Sequence, residues 1–491
     1  MESLRPEEKI FSGIIAVDRR VSSNRGISHP IGLVDRRVTP DRRTSPRFRA
    51  VFAVKLKGSS SSKEISTVLG ESINLSHSGA CLNLERELMH PSVAILSIKF
   101  PMLPDFETRI KILWSKSKEG RISYGVHFLD LKEKFPSILK EALSKYESLN
   151  SELIPLVNSM RNFLQGIKNK FDEFDKVYPL VQKQIDFIEG NKKETYKKLD
   201  NYFGKIWEIA MRCDEKGYNV HRSYFQQMLH PLVEEIVEIN RHIYRKPLGY
   251  AGDYMVMNYI YDYQKNKYLG NSSYERLINN YTCNIPIASC NIKRKEFFKR
   301  KILKAIKTKD NARIMSVGCG PLRELIELLE EGKVRRPLSF KCVDFEKGAI
   351  DYVKSQLEKI DSERKRFLYI EYLHQNIINI IKNKEIKEKI KNQDLIYCSG
   401  VIDYLRDRIA GRLVRELFQL LNDKGVLIVC NAALSNSSHR AYYEMLGEWN
   451  MIYRTKEEML DWMKGIKDVQ EISFEEPPGC SKYLFLRITK L

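Results

Sequence analysis

From Ile314 onward the chain alternates short apolar runs with amphipathic helical stretches, and that alternation most constrains what it can fold into. The runs are Ile314 to Val317, Phe340 to Phe345, Phe367 to Tyr372, Asp394 to Ser399 and Gly425 to Cys430. An amphipathic helix over Arg406 to Leu421 separates the last two. Strands that alternate with helices build a doubly wound parallel sheet with helices on both faces. Two more runs, Val469 to Phe474 and Tyr483 to Ile488, suit a closing antiparallel hairpin. A seven-stranded, mostly parallel sheet of Rossmann-like α/β architecture is the expectation.

The first run passes through Gly318-Cys319-Gly320-Pro321 straight into a helix, the strand-turn-helix geometry in which glycines let a ligand approach the backbone. The second ends in Asp344, placed to bind ribose hydroxyls, and the third leads to Asn376, whose amide can read an adenine edge. The order resembles a class I S-adenosylmethionine-dependent methyltransferase. The resemblance implies S-adenosylmethionine as cofactor, held by Ser316, Gly318, Cys319, Gly320, Asp344, Asn376 and Ser399. Two positions depart from the general pattern. Ser316 stands where the first motif usually has an acid, and Leu322 replaces its third glycine.

Pro247-Leu248-Gly249-Tyr250-Ala251-Gly252-Asp253-Tyr254 precedes the sheet, and Ser399-Gly400-Val401-Ile402-Asp403-Tyr404-Leu405 follows the fourth strand. With the glycine turn, these stretches resemble methyltransferases that make 3-hydroxypalmitic acid methyl ester. That resemblance spans roughly residues 200–491 and implies a fatty-acid carboxylate as methyl acceptor. Tyr250, Asp253, Tyr254 and Tyr404 are then expected around the acceptor, with Arg294 or His374 holding its carboxylate. Alternatively, the Gly-Tyr-x-Gly-Asp-Tyr segment is a structural cap over the cofactor, and both roles can hold together.

The N-terminal region carries a second constellation. Arg43 and Arg47 are four apart, and Asn74-Leu75-Ser76-His77-Ser78-Gly79 follows some thirty residues on. A guanidinium can fork onto guanine O6 and N7, grip a phosphate or stack on a base. A turn with a short amide, a hydroxyl and a glycine brings small polar groups to a ligand. Short strands are expected over Phe48 to Leu56, Ala80 to Leu84, Ala94 to Phe100, Thr108 to Trp114 and Arg121 to Phe128, the spacing of a small barrel. Together these features resemble the PilZ family, which implies binding of cyclic di-GMP through Arg42, Arg43, Arg47, Asn74, Ser76 and Gly79. Asp-Arg-Arg recurs at Asp18, Asp35 and Asp41 among Ser, Gly, Pro and Asn, which reads as a flexible basic arm.

Between barrel and sheet, Phe135 to Leu149, Leu153 to Ile188, Lys192 to Arg212 and His221 to Tyr244 carry apolar residues at helical steps. Such helices need a partner face, on the catalytic domain or a second copy of the chain, so a homodimer stays open. The organisation is thus an arm (1–35), a PilZ barrel (36–146), a helical connector or cap (147–245) and a methyltransferase domain (246–491). The net charge of +20 raises affinity for phosphate-rich partners, but the lysines spread along helices with glutamate and form no single groove, so a nucleic-acid partner is disfavoured. Nine scattered cysteines without Cys-x-x-Cys, and no apolar run of spanning length, point to a cytoplasmic protein with neither a metal site nor a membrane span. The favoured reading is a cyclic di-GMP-responsive methyltransferase. The alternatives are an effector scaffold with a degenerate transferase domain, and a transferase acting on RNA or protein.

Overall fold

The computed structural model describes residues 48–491 apart from 59–66, 86, 88–92, 119–120, 132, 264 and 435–438, so Arg42, Arg43 and Arg47 lie outside the described residues. Six strands close an antiparallel barrel: β1 (Ala53–Gly58), β2 (Thr67–Leu75), β3 (Gly79–Leu84), β4 (Val93–Ile98), β5 (Phe106–Lys118) and β6 (Arg121–Phe128). Their order is β1-β2-β3-β6-β5-β4, with β1 pairing β4 to close the ring. β2 has no counterpart among the sequence expectations. Its inward positions include Gly70 and Ser72, so the usual apolar alternation is hidden. Ser72 is tolerated inside because its hydroxyl donates to Ala50 O and accepts from Phe52 N. Helix α1 (Phe135–Glu147) plugs the barrel with Phe135, Leu139 and Ala142, and Phe135 stacks on Phe106 at 4.1 Å.

The connector is α2 (Leu153–Val177), α3 (Val181–Ala210), α4 (Glu215–Leu229) and α5 (Glu238–Arg245). The expected helix over Leu153 to Ile188 breaks at Pro179, which has no N–H and pushes Tyr178 out of the α region, whereas Gly190 passes inside α3. The expected helix over His221 to Tyr244 likewise ends at His230-Pro231. α6 (Tyr254–Asp262), α7 (Ser273–Asn284) and α8 (Pro286–Thr308) lead into the sheet. The connector helices share one buried core with the sheet layer, from Leu149 through Phe203 and Tyr281 to Tyr442 and Phe485.

The sheet contains β7 (Ala312–Val317), β8 (Leu338–Asp344), β9 (Leu368–His374), β10 (Gln393–Cys398), β11 (Leu421–Ala432), β12 (Val469–Glu475) and β13 (Tyr483–Lys490). Its order is β12-β13-β11-β10-β7-β8-β9. β7 to β11 are parallel, and β13 inserts antiparallel between β11 and β12. The sheet thus ends in the antiparallel hairpin expected from the sequence. α9 (Arg323–Glu330), α10 (Lys347–Glu358), α11 (Ser362–Lys365), α12 (Ile377–Lys382), α13 (Lys384–Ile390), α14 (Asp407–Gln419) and α15 (Lys456–Asp461) complete the layers. Among the described residues no helix is long and apolar enough to cross a membrane.

Candidate functional site

The chain leaves β7 toward β8 and β9 on one side and returns to β10 on the other, so the β7–β10 gap is a topological switch point where open α/β sheets bind ligands. A cavity of about 680 Å³ opens there at the carboxyl ends of the strands. Its floor is the glycine turn. Gly318 (φ +69°) and Gly320 (φ +50°) are left-handed, and a Cβ on Gly318 would lie 2.2 Å from Val401. A Cβ on Gly320 would meet nothing within 4 Å, so this backbone is open to a ligand. Leu322 also takes a left-handed conformation (φ +47°) while fully buried. The leucine therefore adopts the backbone that a glycine would favour, and the turn keeps its shape.

Asp344 ends β8 and its carboxylate accepts from Gly320 N and Glu346 N, both at 2.9 Å. Burial pushes its pKa up, opposed by those two hydrogen bonds. Cys319 is buried and its N–H bonds Val343 O, Ser316 and Ser399 border the cavity, and Asn376 caps α12 at the rim. All seven expected cofactor residues therefore face one cavity.

The opposite wall is the Tyr250–Tyr254 segment. Tyr250, Gly252 and Tyr254 border the cavity, and Tyr250 packs against Phe345 and Tyr404. A Cβ on Gly252 would lie 2.6 Å from the Tyr404 hydroxyl and 2.7 Å from Trp449, so only glycine lets this cap seat. Trp449 donates its indole N–H to the Tyr404 hydroxyl at 2.7 Å. Burial pushes the Tyr250 and Tyr404 hydroxyls up, which keeps both neutral as hydrogen-bonding walls.

Asp253 corrects one expectation. Its carboxylate accepts from Met255 N and Val256 N to cap α6 and bonds His242 Nε2 at 2.7 Å. It is fully buried and does not border the cavity, so it shapes the cap from behind. His374 is exposed at the rim, with Nε2 on Phe345 O at 2.8 Å. Arg294 lies deep inside, its guanidinium 4.6 Å over the Tyr483 ring. The motifs had not pointed to Trp449, Met451, Asn291 or Glu324, which also border the cavity. Of these only Glu324, an acid just beyond the glycine turn, left a trace in the sequence.

On the barrel, Phe48 and Leu75 exchange backbone hydrogen bonds at 2.8 and 2.9 Å, so the chain enters the barrel alongside the Asn74–Gly79 turn. Ser76 closes that turn with its N–H and hydroxyl on Gly79 O. A Cβ on Gly79 would lie 2.3 Å from Val126 O, so glycine is required there. Asn74 Oδ1 is buried without a hydrogen-bond partner among the described residues, an acceptor left for a ligand or a neighbouring donor.

A polar relay links barrel and cap. Lys55 of β1 and Lys99 pair with Glu235 at 2.7 and 3.6 Å, and Arg241 of α5 donates to Glu235 O. One residue on, His242 holds Asp253 behind the cap. Burial opposes ionisation of Glu235, yet the hydrogen bond and charge of Lys55, with Lys99, hold its carboxyl below the usual range.

Residues 41–145 match the family model of the PilZ domain, so the N-terminal barrel is a PilZ domain. No match to a curated protein is found. Among solved structures, a possible exported protein from Bordetella parapertussis aligns at 14% identity and TM-score 0.41, covering 61% of this chain and 96% of the other. The N-methyltransferase NodS from Bradyrhizobium japonicum, in complex with S-adenosyl-l-homocysteine, aligns at 13% and 0.28, covering 47% and 98%. Magnesium protoporphyrin IX methyltransferase (ChlM) from Synechocystis, with bound S-adenosylmethionine, aligns at 11% and 0.30, covering 48% and 96%.

Proposed function

We propose that this chain is an S-adenosylmethionine-dependent methyltransferase that O-methylates a small-molecule carboxylate, a hydroxy fatty acid being the favoured class, under cyclic di-GMP control. The observation that carries the reading is the cavity at the β7–β10 switch point, with the glycine turn and Asp344 on one side and an aromatic cap on the other. The residues fit the cofactor: Gly320 offers an uncovered backbone, Asp344 a carboxylate for ribose hydroxyls, Asn376 an amide at the rim. When bound, S-adenosylmethionine supplies a methyl group on a sulfonium, an electrophile open to in-line attack by an oxygen. The chain's own part is positioning. Tyr250, Tyr404 and Trp449 close the cavity and exclude water, and holding two reactants in line can supply about 7–11 kcal/mol. A carboxylate acceptor is ionised at neutral pH, which removes the need for a general base. His374 at the rim, or Arg294 in the depths, is placed to hold it.

Control enters through the barrel. Arg43 and Arg47 with Asn74, Ser76 and Gly79 bind the dinucleotide in this reading, and the Lys55–Glu235–α5–Asp253 relay carries the change to the cap. The test is methyl transfer to 3-hydroxypalmitate with and without cyclic di-GMP, for wild type and an Arg43→Ala, Arg47→Ala double mutant. A rate that responds to the dinucleotide in wild type only is expected. Equal rates with and without it would remove the control, and a chain that binds no S-adenosylmethionine would favour the scaffold reading.

A further inference from the structure

The first motif lacks its acid, and the structure shows where a carboxylate has gone. Ser316 is 1% exposed, borders the cavity and pairs in register with Tyr397 of β10. Tyr397 in turn donates to Glu324 Oε1 at 2.7 Å. Glu324 lies in the first turn of α9, four residues beyond Gly320, buried and bordering the same cavity. A carboxylate thus stands at the start of the helix that follows β7, and Tyr397 of β10 lies between it and Ser316.

α8 supplies the opposite charge. Arg294 is 6% exposed and its Nη1 has no hydrogen-bond partner among the described residues. Asn291, three residues earlier on the same face, is fully buried and its Nδ2 is likewise unpartnered. The Tyr483 hydroxyl donates to Asn291 Oδ1 at 3.1 Å, which fixes the amide, and the Tyr483 ring holds the guanidinium. Leaving a buried donor without a partner is costly, so two of them at one cavity wall mark a place suited to an acceptor. An acid and a pair of unpartnered donors around one cavity complement an ammonium and a carboxylate carried on a single carbon.

We propose that Glu324 binds the ammonium, and Arg294 with Asn291 the carboxylate, of the methionyl end of S-adenosylmethionine, in place of the acid absent at Ser316. The assignment rests on the donor reading given above and moves Arg294 from the acceptor to the donor. Burial pushes the Glu324 carboxyl up, opposed by Tyr397 and by the charges of Arg294 and Lys295, and an arriving ammonium adds the counter-charge that favours ionisation.

Calorimetry with S-adenosylhomocysteine and with methylthioadenosine, which lacks the amino-acid end, tests the proposal on wild type, Glu324→Gln and Arg294→Met. Wild type is expected to prefer S-adenosylhomocysteine strongly. Each substitution should narrow that preference about tenfold or more while leaving methylthioadenosine affinity unchanged. Arg294→Lys should recover part of the preference, and Asn291→Leu reads the same donor pair if Arg294→Met does not fold, as judged by its melting curve. Wild type binding neither ligand would sink the donor reading itself. Equal affinity of wild type for both ligands, or parallel loss of both in Glu324→Gln, would overturn the head-group assignment alone. So would an Arg294→Met protein that keeps S-adenosylhomocysteine affinity but shows a raised KM for 3-hydroxypalmitate, which would return the arginine to the acceptor.

Discussion

The connector meets its two neighbours by different physics. Toward the sheet it shares a core: Phe203 packs edge-on against Tyr442 at 4.9 Å, and Asn240, Thr282 and Tyr442 bond one another out of water. Toward the barrel, Ala53, Val51 and Tyr146 supply a small apolar contact, Tyr146 edge-on to Tyr224 at 6.0 Å, beside a set of polar and ionic links. Lys55 and Lys99 hold Glu235, Arg161 bridges Glu71 and Glu85, and Ser223 and Gln227 reach the backbone at Met102 and Phe100. The barrel keeps a separate core sealed by α1. A shared apolar core makes connector and sheet one cooperative unit, whereas a charged joint can be reset by a few kcal/mol. If cyclic di-GMP controls the chain as proposed, that asymmetry puts the hinge of the response between barrel and connector.

The largest break in the comparison comes from Phe203→Ala. Removing a fully buried ring should cost about 3–5 kcal/mol, and calorimetric melting should show connector and sheet lowered together with the barrel transition unmoved. Separate shifts of connector and sheet would refute the shared unit.

Next in size is the pH response of the same joint. His230 is buried, its Nε2 meets Leu446 O at 3.0 Å, and burial depresses its pKa from 6.5 to about 4. A depressed folded pKa gives stability that is complete above pH 6.5 and drains away as pH falls toward 4. The loss is at most about 3 kcal/mol. Melting followed over that window should show the slope in wild type and not in His230→Gln.

The smallest effect belongs to the ionic joint. Glu235→Gln should cost about 1 kcal/mol or less and make barrel attachment less sensitive to salt. Because its pKa is lowered, the clasp is intact above pH 4.5 and is lost as pH falls through the depressed value. The informative readout is the methylation response. Basal transfer should persist while the effect of cyclic di-GMP shrinks, and an unaltered response would detach this relay from regulation.

What the sequence disclosed follows the strength of its periodic signals. All seven strands of the sheet stand where their apolar runs lie, and β7, β8 and β10 read most plainly because buried parallel strands advertise themselves as continuous hydrophobic segments. β2 went unseen because a glycine and a hydrogen-bonded serine face its interior. The helix break belonged to Pro179, whose backbone cost outweighs that of an exposed glycine such as Gly190. In the cavity, the glycine turn and Asp344 were legible from spacing. Trp449 and Asn291 were not, since tertiary packing alone brings them there from distant points of the C-terminal half. Asp253 was misplaced for a related reason, because a cap residue and a wall residue look alike in one dimension.

The bond between the Trp449 indole and the Tyr404 hydroxyl has an optical consequence. The chain has four tryptophans. Trp207 and Trp462 are buried beneath the guanidinium groups of Arg440 and Arg454. Trp114 lies half exposed across Gly125 on the barrel, and Trp449 lies against Gly252 of the cap. The molecule thus carries one intrinsic fluorophore on the barrel and one at the cavity cap. With Trp114 or Trp449 replaced by phenylalanine, arrival of a ligand at one region and its echo at the other become separable as two colours of native light.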